Sequence, residues 1–367
     1  MGRELSKITV KGYKSIRELE DFEIRDLNVL VGANGAGKSN FIQLFDLLHN
    51  ILEMNLQNYV AKNGGADALL HHGGKRTGAL NLKFEFGRNI YECTLEPDAQ
   101  QSLFFSNETI CYHDQRYQYP YCTDIGSGHR ESRLKSESQS RPYPRIADYV
   151  IEAIRSWKLY HFHDTGFTAK VKGLGNIDDN AYLRPDASNL AAYLFYLKNV
   201  ETSYYRNIVD MIKKVAPFFG GFNLRPAPAN NNTIRLEWNE EGSDAYYNAH
   251  SFSDGTLRFI CLATLLLQPE KNLPSVILLD EPELGLHPYA ICVLADMLRF
   301  ASKKTQIIVS TQSVTLVNQF GPEDLIIVDR ESESSVFRRP APNEIESWLD
   351  DYALGDIWEK NLMGGRP

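Results

Sequence analysis

Residues 32–39 read Gly-Ala-Asn-Gly-Ala-Gly-Lys-Ser, a match to G-x-x-x-x-G-K-[ST]. This octet constrains the fold more than any other stretch, because it works only between a strand and a helix. Leu27–Val31 is a mostly apolar run that reads as the strand. From Ser39 onward, Phe41, Ile42, Leu44, Phe45, Leu47, Leu48, Ile51 and Leu52 supply the apolar face of a helix. Gly32, Gly35 and Gly37 are expected to turn the backbone through positive φ and bring its N–H groups to phosphate oxygens. Lys38 offers a point charge to β- and γ-phosphates, and the Ser39 hydroxyl can ligate Mg²⁺. With Asn34 and Asn40 beside them, Gly35, Gly37, Lys38 and Ser39 form the expected cofactor contacts. A strand, a glycine-rich turn and a helix N-terminus together make an anion site.

A complementary motif lies far downstream. Val276-Ile277-Leu278-Leu279-Asp280-Glu281 is an apolar run ending in two acids. A buried strand that ends this way delivers carboxylates to the sheet edge where α/β proteins bind ligands. Asp280 would hold Mg²⁺ through water, and Glu281 is placed to orient and deprotonate an attacking water. In isolation the same pattern fits a strand meeting a polar loop; beside residues 32–39, each motif supplies what the other lacks. Upstream, Ser251-Phe252-Ser253-Asp254-Gly255-Thr256 leads into a helix. Ser253 and Gly255 there suit a second anion site, while Ser253 or Asp254 also makes an ordinary N-cap. Ser310-Thr311-Gln312-Ser313 follows the next strand, which is expected to lie beside the one bearing Asp280. Gln312 would then reach a γ-phosphate or the attacking water as a positioning group, since an amide is a poor base. The same four residues equally read as a polar turn with Ser313 capping a short helix.

The rest of the chain supports an α/β architecture. Strands are expected over 7–10, 276–279, 306–309 and 325–328, with helices over 255–268, Pro288–Ser302 and 314–320. Such alternation implies a largely parallel sheet covered by helices. Alternating Leu80, Leu82, Phe84, Phe86 and then Tyr91, Cys93, Leu95 form a hairpin. Residues 97–145 read as a polar, irregular insertion, with a flexible serine- and glycine-rich second half. Helices are expected over 146–157, 186–199 and 202–215, and Ile234, Leu236 and Trp238 alternate as one strand. His161 and His163 share a strand face, but no third ligand is evident, so a structural or interface role is favoured over a metal site. His71-His72 reads as a solvated loop.

The net charge of −8 over 367 residues argues against a surface that binds nucleic acid by charge alone, though a local basic groove is compatible with it. Cys93, Cys111, Cys122, Cys261 and Cys292 form no C-x-x-C and are expected to be reduced thiols of a cytoplasmic protein. No apolar run reaches the length of a membrane span, and the polar first residues do not read as a signal peptide.

The order 32–39, 252–256, 279–288 and 310–313 resembles that of the ABC-type ATPases of the RecF, SMC and OLD (overcoming lysogenization defect) group. Gly12-Tyr13-Lys14-Ser15-Ile16 looks like that group's first turn. The resemblance covers about 1–60 and 180–330, and the tail from Trp348 is similar to the ends of stand-alone ATPases of this kind. It implies an ABC-type P-loop NTPase fold: a mostly parallel core sheet, an antiparallel β subdomain and a helical insertion. It implies ATP and Mg²⁺ as cofactors, with 32–39 as Walker A, Asp280-Glu281 as Walker B, 252–256 as the signature and Gln312 at the switch. In such families the signature meets the γ-phosphate held by the other subunit. Ser253 and Gly255 are therefore expected to act in trans, across a homodimer with ATP at its interface. Pro282-Glu283-Leu284-Gly285-Leu286-His287 matches the D-loop at that interface, and Lys14 is expected near nucleotide or DNA. Two departures stand out: Asp254 replaces the first signature glycine, as in the OLD-like branch, and Gln312 replaces a common switch histidine. The stretch after Arg330 is too short for a TOPRIM nuclease domain.

The expected organisation is an N-terminal lobe (1–96), an insertion and helical arm region (97–240), a C-terminal lobe (241–330) and a tail (331–367). The expected function is an ATP-hydrolysing dimeric switch in DNA repair or defence against foreign DNA. It would act with a separate effector such as a nuclease, with DNA as a possible ligand and no membrane. The alternatives are the ATPase subunit of a transporter, or an ATP-binding scaffold with little hydrolysis.

Overall fold

The computed structural model describes residues 4–114, 116–139, 146–341, 348 and 352–365. Part of the expected serine-rich segment (140–145) and most of 342–351 lie outside them.

The chain opens with a hairpin, β1 (Leu5–Tyr13) and β2 (Ile16–Glu23), followed by β3 (Leu27–Val31) and the long helix α1 (Lys38–Leu52). Every apolar residue of the α1 stripe is buried. Short helices α2 (Leu56–Lys62) and α3 (Ala66–Leu69) lead to β4 (Leu80–Phe86), β5 (Asn89–Pro97), β6 (Leu103–Tyr112) and β7 (Tyr121–Gly126). These strands form one antiparallel sheet in the order β2-β1-β4-β5-β6-β7. The expected irregular insertion is thus corrected for its described part: β6 extends the hairpin sheet, because Leu103, Phe105 and Ile110 bury on the face that β4 and β5 already offer. The division at 96/97 falls inside β5, which pairs with β4 on one side and β6 on the other. A second correction concerns the thiols. Cys111 and Cys122 face each other on β6 and β7 and form a disulfide, Cα atoms 4.1 Å apart. Direct cross-strand pairing brings them together, which spacing in the sequence does not reveal.

After α4 (Leu134–Gln139), α5 (Ile146–Arg155) stops two residues short of the expected end, and Trp157 instead begins β8 (Trp157–Tyr160). Ser156 ends the helix by donating its hydroxyl to Ala153 O at 2.6 Å. Trp157 then buries against Phe45, Phe84 and Phe86. A two-residue strand β9 (Gly175–Asn176) precedes α6 (Leu190–Val200) and α7 (Thr202–Val215). Next come β10 (Phe219–Phe222), β11 (Pro226–Ala227), β12 (Asn230–Ile234), β13 (Glu237–Glu240) and β14 (Tyr246–Asn248). The single strand expected through Ile234, Leu236 and Trp238 is two, in different small sheets: Ile234 ends β12 and Trp238 lies in β13.

The remaining elements are α8 (Asp254–Leu266), β15 (Val276–Asp280), α9 (Pro288–Ser302), β16 (Gln306–Thr311), α10 (Val314–Val317), β17 (Leu325–Glu331), β18 (Ser334–Arg338) and α11 (Leu354–Glu359). The core sheet runs β18-β17-β3-β16-β15-β8, parallel except for β18 at one edge. Each inner strand divides its side chains between two cores. Val29, Ile277, Val309 and Ile327 enter one, and Leu30, Leu278, Ile308 and Ile326 the other. Burial on both faces is why these strands read as unbroken apolar runs. Their parallel direction carries the ends of β3, β15 and β16 to the same edge, as expected of motifs that act together.

Candidate functional site

The loop between β3 and α1 is built around two glycines in the left-handed region, Gly35 (φ 78°) and Gly37 (φ 121°). Gly32 does not have the expected positive φ. It is required because a Cβ there would lie 2.2 Å from Val328 O, so β17 packs directly on the loop. At Gly37 a Cβ would lie 2.1 Å from Ser335 Oγ and 2.8 Å from Ser15 Oγ. Those two serines brace the turn. Ser335 donates to Ala36 O and to Ser15 Oγ (2.7 Å), and Asn40 Nδ2 donates to Ser15 Oγ (2.7 Å). Arg330 Nη1 adds a bond to Gly35 O at 3.3 Å. Asn34, Gly35 and Ser39 are exposed on the open side.

Lys38 is buried, its Nζ donating to Gly32 O (2.5 Å) and Ala33 O (3.1 Å). Burial pulls its pKa below the ordinary lysine value, while Glu281, Asp280 and Glu283 pull it back up. The acids thus face the lysine across the sheet edge. Asp280 ends β15 in register with Ser310 of β16, as expected for neighbouring strands. Glu281 takes φ 43°, a left-handed conformation costing a non-glycine residue about 1 kcal/mol. Its N–H donates to Ser310 O at 2.8 Å, which holds the turn in place. Gln312 Nε2 donates to Glu281 Oε1. Glu283 is buried, its Oε1 accepting from Thr311 Oγ1 and from Gln312 N (3.2 Å); burial raises its pKa.

Asp280 Oδ1, Glu283 Oε2 and Ser310 Oγ are buried without a hydrogen-bond partner among the described residues. An orphaned carboxylate oxygen, an exposed Ser39 hydroxyl and an all-oxygen donor set fit a hard divalent cation. Among the described residues no three His, Cys, Asp or Glu side chains converge as a self-sufficient metal site. Beside the loop opens a cavity of about 610 Å³, lined by Lys14, Ser15, His72, Lys75, Arg330 and Glu333 among others. The expected solvated His71 is instead buried, its Nδ1 2.7 Å from Lys14 O, because it ties the 70–74 loop to the β1–β2 turn.

Ser253 is exposed and caps α8, accepting from Thr256 N at 3.1 Å. Its side-chain hydrogen bonds stay within this turn; Thr256 Oγ1 lies 2.8 Å away. A Cβ at Gly255 would lie 2.2 Å from Gly285 O, so the start of α8 packs on the turn that follows the acids. Arg258, one turn on, donates to Phe162 O (3.0 Å), His163 O (3.3 Å) and Leu284 O, and burial lowers its pKa. The structure therefore brings Lys38, Asp280, Glu281, Glu283 and Gln312 together. Ser253 and Gly255 sit on a separate, outward turn. Sequence reasoning missed Ser335, Arg330 and Arg258, which have no motif of their own. Ser15 had a signal in the first turn, and Glu283 in the loop after the acids.

A parallel sheet with a glycine loop before its first helix and paired acids on a neighbouring strand is the fold of the ABC-type P-loop ATPases, as in the SMC heads. The chain belongs to the family described as "AAA domain, putative AbiEii toxin, Type IV TA system", whose model matches residues 27–318. No curated protein matches it. Among solved structures it is similar to an Smc head bound to the C-winged helix domain of ScpA, with TM-score 0.59 and 17% identity over 95% of this chain and 99% of that one. An Smc head with an extended coiled coil bound to the C-terminal domain of ScpA, from Pyrococcus furiosus, aligns with TM-score 0.54 at 17% identity, over 95% and 99% of the two chains. An Smc head with a coiled coil and joint from Pyrococcus yayanosii gives TM-score 0.50 at 12% identity, over 95% and 99%. At these identities the likeness is one of fold.

Proposed function

We propose that this chain binds and hydrolyses ATP between two copies of itself, and that the nucleotide works as a switch for a separate effector. One observation carries the reading: Lys38, the acids and Gln312 converge on one sheet edge, while Ser253 faces outward on a turn of its own. Lys38 would exchange its loop carbonyls for β- and γ-phosphate oxygens, and the glycine-loop N–H groups would hold the same phosphates. Asp280 and Ser39 would hold Mg²⁺, which when bound neutralises charge on the bridging phosphate oxygens. Glu281 would accept the proton of the attacking water, with Gln312 holding that carboxylate in place. Ser253 and Gly255 would approach the γ-phosphate of the partner copy. Lys14 and the adjoining cavity are suited to the nucleoside end.

Beside the family's description as a putative AbiEii toxin of a Type IV TA system, the role taken here is defence against foreign DNA, with DNA maintenance as the neighbouring possibility. The Smc heads bound to ScpA support a dedicated partner protein, here taken to be a nuclease or similar effector docking on 97–145 or the helices of 186–215. Glu281→Gln tests the scheme. Single-turnover hydrolysis should fall by about a hundredfold or more, and light scattering in Mg-ATP should show a trapped dimer. Equal rates would remove Glu281 as the base, and a mutant that stays monomeric would remove the shared-nucleotide arrangement. The bond between Gln312 and Glu281 favours slow basal turnover, to be raised by the partner.

A further inference from the structure

Farther along α1 lies a cavity of about 210 Å³ that the scheme above does not use. It sits between the helix that begins at Lys38 and the strand that ends at Asp280. Its walls are apolar, with Phe45 from α1, Trp157 from β8 and Leu278 from β15. Its polar groups are mostly donors. His49, Lys158 and His161 line it, and none of their side chains has a hydrogen-bond or ion-pair partner among the described residues. Trp157 is 4% exposed, and its indole N–H is buried with no acceptor among the described residues. Asp46 is the lone carboxylate on the lining; it accepts from Asn50 Nδ2 at 3.2 Å.

Four unpartnered donor-bearing side chains around an apolar void form an unusual arrangement. A buried indole N–H without a partner is disfavoured, and a core with no other use for it would pair it or replace it. The ammonium of Lys158 is half-buried, and burial lowers its pKa, as it does for His49 and His161. Burial also raises the pKa of Asp46, and the other carboxylate that acts on His49 and Lys158, Glu53, is itself paired with Lys135 at 2.8 Å. The void is too small for a nucleotide and matches a single ring with one polar group.

We infer that this cavity is a binding site for a small organic carboxylate with a flat apolar body, its ring against Phe45 and Trp157 and its anionic group paired with Lys158. Benzoate is the probe and benzyl alcohol its neutral counterpart, each titrated into nucleotide-free protein by ligand-observed NMR. Benzoate should bind at least about tenfold more tightly than benzyl alcohol, the difference expected of a charge-assisted hydrogen bond. Lys158→Met should weaken benzoate by a similar factor. His49→Leu, on a different element, should also weaken it, so the test survives if one variant misfolds. Lys38→Ala should leave benzoate binding unchanged, which separates this cavity from the phosphate loop. The inference is overturned if benzoate does not bind, if it binds no better than benzyl alcohol, if folded Lys158→Met binds it like wild type, or if Lys38→Ala abolishes binding.

Discussion

The phosphate loop and the turn before α8 are both glycine-containing entries to a helix, yet they are finished in opposite ways. The loop closes on its own chain: Lys38 is buried against Gly32 O and Ala33 O, and Gly37 is pinned between Ser15 and Ser335. The α8 turn seals only its inner side, with Gly255 against Gly285 O, and leaves Ser253 exposed. One turn is closed on its own chain; the other is supported from within but presents its hydroxyl to solvent. That contrast is what a ligand shared between two copies needs, since each copy must hold one half firmly and offer the other.

The strongest way to break the contrast is at Lys38. Lys38→Ala should weaken Mg-ATP binding by roughly a hundredfold, measured by calorimetry; an unchanged affinity would mean that the loop does not hold the phosphates. Next is Ser253→Arg. Because Ser253 lies on the outward turn, one copy should still bind ATP as before, while the proposed ATP-dependent dimer, read by light scattering, should not form. A dimer that persists would put the second half of the site elsewhere. Gly255→Ala probes the inner seal. The added methyl meets Gly285 O, so unfolding by denaturant should show a loss of about 1–3 kcal/mol, and stability equal to wild type would show that the seal is loose. The smallest effect concerns Glu283. Its folded pKa is raised, so below the ordinary carboxylate range both folded and unfolded states are protonated and no penalty applies. As pH rises through the unfolded value, the unfolded chain ionises more readily and the folded state loses stability. Glu283→Gln should therefore be more stable than wild type at neutral pH, with the advantage vanishing in acid. An advantage that grows in acid would reverse the assignment.

Much of the parallel core was legible because one physical rule governs it. Strands buried on both faces are uniformly apolar, and helices covering them carry a stripe, so β3, α1, β15 and α9 could be placed nearly to the residue. The antiparallel side was harder. β6 and β7 interleave serine, asparagine, glutamate and tyrosine with their apolar residues, a pattern that resembles a loop until β5 is known to lie alongside. The helix expected through Trp157 failed for a similar reason. Trp157 fits a helix stripe as well as a strand, and only the pocket offered by Phe45, Phe84 and Phe86 decides between them.

The sequence by itself determined the chemistry at each turn: a lysine after a glycine loop, carboxylates after an apolar strand, a serine and a glycine before a helix. These are local patterns, and local conformation is enough to express them. Tertiary structure alone decided which groups meet. It set Ser335 and Ser15 against Gly37, placed Gln312 on Glu281, paired Cys111 with Cys122, and turned Lys158 and His49 toward a shared void. Each of those contacts joins residues distant in the chain, and only the packing of whole elements fixes their separation.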